Sequence, residues 1–371
     1  MRDLFLFAGE SSADLHGEKL IHALRLKDPE LKIWGVGGPK MRAAGLDCIL
    51  PMEEFQVMGF IDVFLALPRL LRHFYFIKKT LLQKQPTAVV FIDYPGFNLR
   101  MENALRKKGY TKFLCHYICP SVWAWGKKRI PEMARNLDLL ITILPFEKNC
   151  FKDTNLNIHY AGHPLIKRIP LNSAHKGFIE TIALFPGSRT KEIERNFKGY
   201  LTCAKELLKK HPHLKFIVSL SHPRFKDLLK KIMEKENLNL PLEPDSYTLM
   251  KQADLALAKS GTITLELALH NVPTVVTYAI SPLDTFLAKH IFKIRLPYYC
   301  LVNIIYSGEV FPELIGPALT QNALFNHADK FIEDGDYRQE CLTKCAAVRT
   351  LLGEQDASTE AATAIFNKIF C

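Results

Sequence analysis

Three features are missing from this sequence of 371 residues, and each absence excludes a class of protein. No segment provides the ~20 consecutive apolar residues of a membrane-spanning helix. The apolar run after Met1, Leu4–Ala8, is too short for the core of a signal peptide. The nine cysteines show no zinc-type spacing. We therefore expect a cytoplasmic chain with reduced thiols and no cysteine-bound zinc.

Two further classes are disfavoured by the motifs that are missing. No loop carries G-x-G-x-x-G followed by an acid about 20 residues later, which disfavours an NAD-dependent dehydrogenase. The 49 lysines and arginines are dispersed, without the aromatic and basic platform of a nucleic-acid-binding protein. They nevertheless exceed the 38 acids, and the net charge of +11 favours an acidic partner such as an anionic membrane surface or a phosphorylated substrate.

Short apolar runs alternate with amphipathic segments, in one series from residue 4 to 160 and in a second from 182 to 277. Such alternation is typical of βαβ units, so we predict an α/β fold of two Rossmann-like, doubly wound parallel-sheet domains. Ligands of such sheets bind at the carboxyl ends of the strands, here in a cleft between the domains. A linker with prolines and polar residues is predicted at 163–180.

The loop at 186–189 has the composition of a diphosphate site. The strand-like run Ile182–Phe185 leads into Pro186, Gly187, Ser188 and Arg189, and then into an amphipathic segment. Gly187 lets the backbone approach a ligand, and the N–H groups of the following helix favour an anion together with Arg189. The alternative is an ordinary turn in which Arg189 pairs with a nearby acid.

A second loop of this kind follows the run Leu255–Ala258. Ser260, Gly261 and Thr262 offer backbone and hydroxyl donors to a diphosphate, and Glu266 lies one helical turn further on, within reach of a ribose diol. The alternative for Glu266 is a capping box that is closed on the first-turn amides. Two such loops in one half of the chain together favour a nucleoside diphosphate.

In the first half of the chain, Asp93 follows the apolar run Ala88–Ile92 and precedes a turn with proline and glycine. A carboxylate at the end of a strand in an open α/β sheet can accept a proton from a hydroxyl nucleophile. The alternative is that Asp93 caps the next helix or holds the loop. The turn at Gly9 and Glu10 is also of the anion-binding type, with an ordinary turn as its alternative.

The segment 60–82 is apolar with interspersed cations, and Pro68 divides it into two predicted pieces. An apolar helix face that is bordered by cations suits a membrane interface with anionic lipid. Further on, Trp123 and Trp125 alternate just before three cations, which suits a surface that faces acyl chains or sugar. Core packing is the alternative for both segments.

Several motifs together resemble the lipid-A-disaccharide synthase family, in chain order from Gly9 to about Leu314. They are GESSAD at 9–14, VMGF at 57–60, IDYPGFN at 92–98, PSVWAW at 120–125, LPFE at 144–147, GHP at 162–164, PGSR at 186–189 and SGTITLE at 260–266. The resemblance implies a GT-B fold with a deep interdomain cleft. It also implies an inverting transferase that needs neither metal nor cofactor and acts at the cytoplasmic face of the inner membrane.

The resemblance further implies how the chain is organised and what it transfers. Residues 1–170 would bind acceptor and lipid, 171–344 would bind the UDP-sugar, and the C-terminal helices at about 345–371 would pack back onto the first domain. The implied reaction joins UDP-2,3-diacylglucosamine to 2,3-diacylglucosamine 1-phosphate, giving a β-1,6-linked disaccharide and UDP. The implied partners are these two lipids, the anionic membrane surface and a second copy of the chain. Another GT-B sugar-nucleotide enzyme, an N-acetylglucosaminyltransferase or an epimerase, is the alternative.

Each site residue takes its expected role from a matching motif. Asp93 is the expected general base, and Arg189 is expected to stabilise the charge that builds up on the departing UDP. Contacts to UDP are predicted for Gly9, Glu10, Gly187, Ser188, Arg189, Ser260, Gly261, Thr262, Glu266 and Asn303. Contacts to lipid are predicted for Phe60, Val63, Phe64, Leu67, Arg69, Leu70, Leu71, Arg72, Phe74, Trp123 and Trp125.

Overall fold

The structure is a computed structural model that describes residues 2–55, 60–124, 126–170, 177–280 and 296–370, with the backbone alone for 60–65. The chain divides into two compact units. Unit 1 consists of Met1–Pro164 and Glu354–Cys371, and unit 2 consists of Leu165–Gly353. The division therefore lies at 164/165 rather than at the expected 170/171. Part of the predicted linker 163–180, residues 171–176, lies outside the described residues.

The sheet of unit 1 has seven parallel strands in the order β3-β2-β1-β4-β5-β6-β7. The central strands β1 and β4 are buried and almost entirely apolar, as expected of a parallel sheet that is covered on both faces. Ala8 of β1 lies beside Ile92 of β4, so these two strands end side by side. The strands are β1 Asp3–Ala8, β2 Lys32–Gly37, β3 Asp47–Pro51, β4 Ala88–Ile92, β5 Phe113–Tyr117, β6 Leu139–Thr142 and β7 Ile158–Tyr160.

The helices of unit 1 cover both faces of this sheet. They are α1 Ser11–Lys27, α2 Pro39–Ala43, α3 Phe60–Lys84, α4 Pro95–Arg106, α5 Ile130–Asn136 and, after the return from unit 2, α14 Ala357–Phe370. The last helix, α14, packs against α1. The predicted break at Pro68 is wrong, because α3 continues through it. The proline removes one backbone N–H donor, and apolar side chains beyond it hold the helix on the core.

Unit 2 has a second parallel sheet, with six strands in the order β10-β9-β8-β11-β12-β13. Its central strand β8 is wholly buried, like β4 of unit 1. The strands are β8 Thr181–Phe185, β9 Lys215–Ser219, β10 Leu242–Glu243, β11 Leu255–Lys259, β12 Thr274–Tyr278 and β13 Glu313–Ile315. Two parallel sheets of this kind confirm the predicted fold class.

The long helix of unit 2, α7, shows why its segment folds as a helix. Its buried side chains recur every three or four residues, as at Ile193, Phe197, Tyr200 and Ala204, and so form one apolar face. The helices are α6 Leu165–Arg168, α7 Thr190–Lys210, α8 Lys226–Lys235, α9 Ser246–Gln252, α10 Thr262–Leu269, α11 Leu301–Tyr306, α12 Gln321–Glu333 and α13 Gly335–Leu352. In the described part of the chain, none of the helices combines the length and apolar character needed to cross a bilayer.

Candidate active site

The first predicted diphosphate loop is shaped by Gly187, whose φ is +131°. A Cβ at this position would lie 2.7 Å from Cβ of Glu192, so a larger residue does not fit. The Ser188 N–H donates to Oε2 of Glu192 at 3.1 Å, and Oγ of Ser221 donates to the Gly187 carbonyl at 3.1 Å. The loop is therefore held from two sides just before α7 begins.

Both predicted diphosphate loops open onto one cavity of about 280 Å³ in unit 2. Gly187 and Ser188 line it from the end of β8, and Ser260, Gly261 and Thr262 line it from the end of β11. The first N–H groups of a helix have no partner within that helix, and two helices, α7 and α10, begin here. Such a site at the carboxyl ends of parallel strands suits an anionic ligand.

Arg189, predicted to stabilise the leaving group, is 81% exposed, and its Nη1 donates to Oε1 of Glu192 at 3.3 Å. Arg189 therefore pairs with a nearby acid, Glu192, as the alternative interpretation of this loop expected. An exposed guanidinium next to the loop still has donors to offer, because one hydrogen bond uses only one of its five N–H groups.

Lys259 is a second cation of this site that sequence reasoning left out of the predicted set. Its Nζ lies 3.1 Å from Oε1 of Glu192 and 4.9 Å from the ring centre of Tyr278. Burial raises the pKa of Glu192, but the Ser188 N–H and the Lys259 ammonium lower it by a larger amount. The net shift of the pKa is therefore downward. Three donors thus surround one carboxylate. The signal in the sequence was a lysine at the last position of a strand, directly before Ser260.

Glu266, the predicted ribose contact, lies on α10 and does not belong to the cavity lining. Burial raises its pKa, and the guanidinium of Arg168 partly offsets that rise. Arg168 lies 4.5 Å from the ring centre of Tyr247. The capping box that was the alternative is not formed, because α10 begins after Gly261 without a side-chain cap. The contact of Glu266 with a ribose stays a prediction.

Asn303 requires a correction. It is fully buried, and Oδ1 accepts the N–H groups of Val310 and Phe311 at 2.9 and 3.0 Å. Its Nδ2 donates to the Phe311 carbonyl at 2.8 Å and to Oε1 of Glu313 at 2.9 Å. The amide is therefore used within unit 2, where it holds the loop between α11 and β13. This placement argues against the predicted contact of Asn303 with UDP.

In unit 1, Asp93 lies directly after β4 in the left-handed backbone region, with φ of 49° for both Asp93 and Tyr94. This conformation is uncommon for residues other than glycine and often marks a functional turn. The Asp93 N–H donates to the Tyr117 carbonyl at 2.8 Å, and Nδ2 of Asn98 donates to the Asp93 carbonyl. The cap residue of α4 is Tyr94, so Asp93 does not cap that helix.

Glu10 and Asp93 meet at the ends of neighbouring strands. Their carboxyl groups lie within hydrogen-bonding reach of each other, and Oγ of Ser12 donates to Oε1 of Glu10 at 2.9 Å. Burial raises the pKa of Glu10, and the charge of Asp93 raises it further. Gly9 is buried beneath Tyr94, where a Cβ would lie 2.7 Å from the ring. The glycine thus allows the aromatic ring to cover this turn.

Two histidines follow in the same region: His16 lies beside Asp93, and His163 lies beside His16. His16 on α1 faces Asp93 and His163, and burial lowers its pKa. Burial also lowers the pKa of His163, to about 4, and His16 contributes to that shift. Both imidazoles are therefore neutral at pH 7. Sequence reasoning included His163 in a motif but assigned neither histidine to the site.

Nearby Asp14 has a structural role. Its carboxylate is buried and accepts the N–H groups of Gly38, Lys40 and Met41 at 2.8 to 3.0 Å. It therefore caps α2 rather than the helix that carries it.

Helix α3 presents an apolar stripe. Leu67, Leu71 and Tyr75 are 46, 47 and 58% exposed, and their spacing of four places them on one helix face. Arg69 and Arg72 are exposed beside them. The stripe therefore combines apolar side chains with cations, as an interfacial helix would.

Two residues of α3 correct the predicted lipid-facing set. Leu70 and Phe74 are half-buried and pack against the core of unit 1. The Phe74 ring also contacts Phe97 edge to face, with 5.4 Å between the ring centres. Leu70 and Phe74 each stand one position before an exposed residue of the stripe, and one residue turns a side chain by about 100° around the helix, here toward the core. Phe60, Val63 and Phe64 lie outside the described side chains.

Trp123 is half-buried and contacts Phe146 edge to face, with 5.5 Å between the ring centres. Its indole N–H is buried without a hydrogen-bond partner in the described residues. The contact with Phe146 agrees with core packing, the alternative to a surface that faces acyl chains or sugar. Trp125, the other predicted member of this pair, lies outside the described residues.

Two other polar features of the described residues lie away from the predicted site. A cavity of about 560 Å³ lies among charged side chains at the amino ends of β1 and β2, opposite the ends that carry the site. His211, Asp329 and Glu333 have the side chains of metal ligands. Nζ of Lys210 lies 2.8 Å from Asp329 and 3.4 Å from Glu333 and already forms an ion pair with each carboxylate. We therefore assign no metal to this cluster.

Solved structures with similar folds include epimerases and glycosyltransferases. The UDP-GlcNAc 2-epimerase of Neisseria meningitidis, bound to UDP-GlcNAc, aligns with a TM-score of 0.62 at 12% identity, over 99% of this chain and 100% of that one. A lipopolysaccharide outer core galactosyltransferase aligns with a TM-score of 0.54 at 13% identity, over 99% and 100%. At such identities the likeness shows the fold alone, which is the GT-B fold.

Sequence comparisons identify the family. The synthase of Pseudomonas putida named lipid-A-disaccharide synthase is 34% identical over 369 residues, which cover 97% of this chain and 96% of that protein. The protein of the same name from Chlamydia pneumoniae is 41% identical over 358 residues, 91% of this chain but 59% of that protein. The chain thus spans little more than half the length of the chlamydial relatives. A family model described as lipid-A-disaccharide synthetase matches residues 4–367. The chain therefore belongs to the lipid-A-disaccharide synthetase family.

Proposed function

We propose that this protein transfers 2,3-diacylglucosamine from its UDP derivative to 2,3-diacylglucosamine 1-phosphate, in lipid A biosynthesis. The products are UDP and a β-1,6-linked disaccharide 1-phosphate. The observation that carries the proposal is the meeting of both diphosphate-type loops at one cavity, in a chain of this family. Both substrates are anionic lipids, which fits the net charge of +11.

Unit 2 binds the UDP-sugar in this proposal. Ser188 N–H, Arg189 and Lys259 all meet the carboxylate of Glu192. The same three donors suit the oxygens of a diphosphate, which takes the place of the carboxylate when Glu192 turns away. Arg189 then stabilises the negative charge that grows on the departing UDP, and this favours the transition state over the bound substrate.

Unit 1 binds the acceptor and supplies the base. Asp93 accepts the proton of the acceptor 6-hydroxyl as the oxygen attacks C1 of the donor sugar. Attack on the face of C1 opposite the UDP oxygen inverts the configuration at C1. The constrained backbone of Asp93 supports this role, since hydrogen bonds from Asn98 and to Tyr117 hold it after the end of β4.

The stripe of Leu67, Leu71 and Tyr75 on α3 contacts the membrane in this proposal. Its apolar side chains enter the acyl region, and Arg69 and Arg72 meet anionic head groups. The protein then acts at the cytoplasmic face of the inner membrane. A second copy of the chain is a further proposed partner.

The test is UDP release from the purified protein in detergent, with either lipid omitted in turn and with EDTA added. We expect release to need both lipids and to be insensitive to EDTA. Asp93→Asn should retain UDP binding and lose transfer, while the control Asp153→Asn, an exposed aspartate of the same unit, should keep both. Absence of UDP release refutes the proposal. Conversion of the UDP-sugar without acceptor supports the epimerase alternative instead.

A further inference from the structure

The backbone of unit 1 brings two carboxyl groups together. Strands β1 and β4 are parallel neighbours, and Ala8 lies beside Ile92 at their carboxyl ends. Asp93 is the next residue after Ile92, and Glu10 follows Ala8 by two positions, as the residue before α1. Both side chains therefore leave the same edge of the sheet at adjacent strands.

A direct hydrogen bond between these groups needs a proton. The carboxyl groups of Glu10 and Asp93 lie within hydrogen-bonding reach of each other. Ionised carboxylates only accept hydrogen bonds, so one member of such a pair has to be protonated. Oγ of Ser12 donates to Oε1 of Glu10 at 2.9 Å and occupies one of its acceptor sites.

We propose that Glu10 carries this proton, donates it to Asp93 and so positions the Asp93 carboxylate for the acceptor hydroxyl. The inference rests on the proposed function of Asp93 as base. It makes Glu10 a positioning residue that acts through Asp93, in place of the predicted contact of Glu10 with the diphosphate.

The surroundings decide which carboxyl holds the proton. Burial raises the pKa of Glu10, the charge of Asp93 raises it further, and Tyr94 also faces Glu10. On the other side, Asp93 faces His16, which in turn faces Lys19 and His163. Burial lowers the pKa of both histidines, so neither places a positive charge beside the pair at pH 7.

The chemical step balances with this proton in place. Asp93 takes the proton of the acceptor hydroxyl while the hydroxyl oxygen bonds to C1 of the donor sugar. The bond from C1 to the diphosphate oxygen breaks, and UDP leaves with the electron pair. The pair of carboxyl groups then holds two protons, and it returns one to solvent before the next turnover.

Two substitutions of Glu10 separate this role from ligand binding. Glu10→Gln keeps an N–H donor for Asp93 and an acceptor for Ser12, whereas Glu10→Ala keeps neither. We expect Glu10→Ala to lower kcat by about 10- to 100-fold, the value of a hydrogen bond to a charged group, and Glu10→Gln to restore most of that loss. The acid limb of the kcat–pH profile should change shape in Glu10→Gln, because a glutamine at position 10 has no proton to lose. Glu18→Gln on the following helix α1 serves as the control.

A second measurement is independent of turnover. In protein labelled with ¹³C at the glutamate side-chain carboxyl, the Glu10 signal, assigned by its loss in Glu10→Gln, should titrate at a lower pH in Asp93→Asn than in the wild type. The inference is overturned if Glu10 titrates alike in both proteins, or if Glu10→Gln is as slow as Glu10→Ala with a raised KM for the UDP-sugar. A wild type that releases no UDP would refute the proposed function, while the titration would still report on the pair.

Discussion

Glu147 is a buried carboxyl group of unit 1, and its replacement by glutamine tests whether the fold holds it neutral. Glu147 is 1% exposed, and its Oε2 accepts the backbone N–H of Leu144 at 3.1 Å. Burial raises its pKa to about 8, although the backbone hydrogen bonds oppose the rise. Glu147→Gln keeps the shape and an acceptor oxygen, so it removes only the cost of ionising a buried acid.

The magnitude follows from proton binding. Between the usual pKa of 4.5 and about 8, folded Glu147 retains a proton that the unfolded chain has lost. Its contribution to stability is therefore complete below pH 4.5 and is lost as the pH rises through that window. One pH unit corresponds to about 1.4 kcal/mol. Between about pH 5 and pH 7, Glu147 should thus lower the free energy of unfolding by about 3 kcal/mol.

Urea unfolding followed by tryptophan fluorescence measures this change. All three tryptophans belong to unit 1, as does Glu147, so the signal reports on the right unit. The difference in the free energy of unfolding between Glu147→Gln and the wild type should grow by about 3 kcal/mol in favour of the variant from pH 5 to pH 7. For the control Glu30→Gln, at an exposed turn, the free energy of unfolding should change with pH as it does in the wild type. If the free energy of unfolding of Glu147→Gln also changes with pH as it does in the wild type, the Glu147 carboxyl is ionised in the folded protein and the reasoning fails.

Three other substitutions test the site and the stripe. Lys259→Ala should weaken UDP binding in calorimetry by about 10- to 100-fold through loss of a charged donor, and Lys215→Ala should not; equal affinities would remove Lys259 from the site. Leu71→Ser should lower binding to anionic vesicles without lowering the Tm, whereas the exposed Leu26→Ser should leave binding unchanged. Asn303→Ala should lower the free energy of unfolding by about 2 to 5 kcal/mol, because two buried amides lose their acceptor. Weaker UDP binding at unchanged stability would restore the predicted ligand role of Asn303.

The strands of both sheets were largely readable from the sequence because a strand covered on both faces is a continuous apolar run. Ala88–Ile92 has the same limits in the sequence prediction and in the structure, and Thr181–Phe185 begins one residue earlier than predicted. Short edge strands such as Leu242–Glu243 were missed. Two residues leave no pattern to detect, since their pairing depends on where the neighbouring strand lies.

The sequence predicts the position of the backbone loops at the site better than the contacts of the side chains. Gly187 could be placed because a strand end and a helix start define where a loop meets a ligand. The amide of Asn303 could not, because its four hydrogen bonds depend on how the loop up to Glu313 folds back. Likewise, helical spacing groups Leu67 with Leu71 and Leu70 with Phe74. The sequence alone does not say which group faces the core.

The last helix, α14, has a consequence for biosynthesis. Its Ala361 and Ile365 complete the same apolar core as Leu20 and Ile21 of α1. On the ribosome, however, all of unit 2 is translated between these two helices. The amino-terminal part of unit 1 therefore exposes this apolar face until α14 has been translated. A fragment that stops at Pro164 would keep that face exposed and would be prone to aggregate.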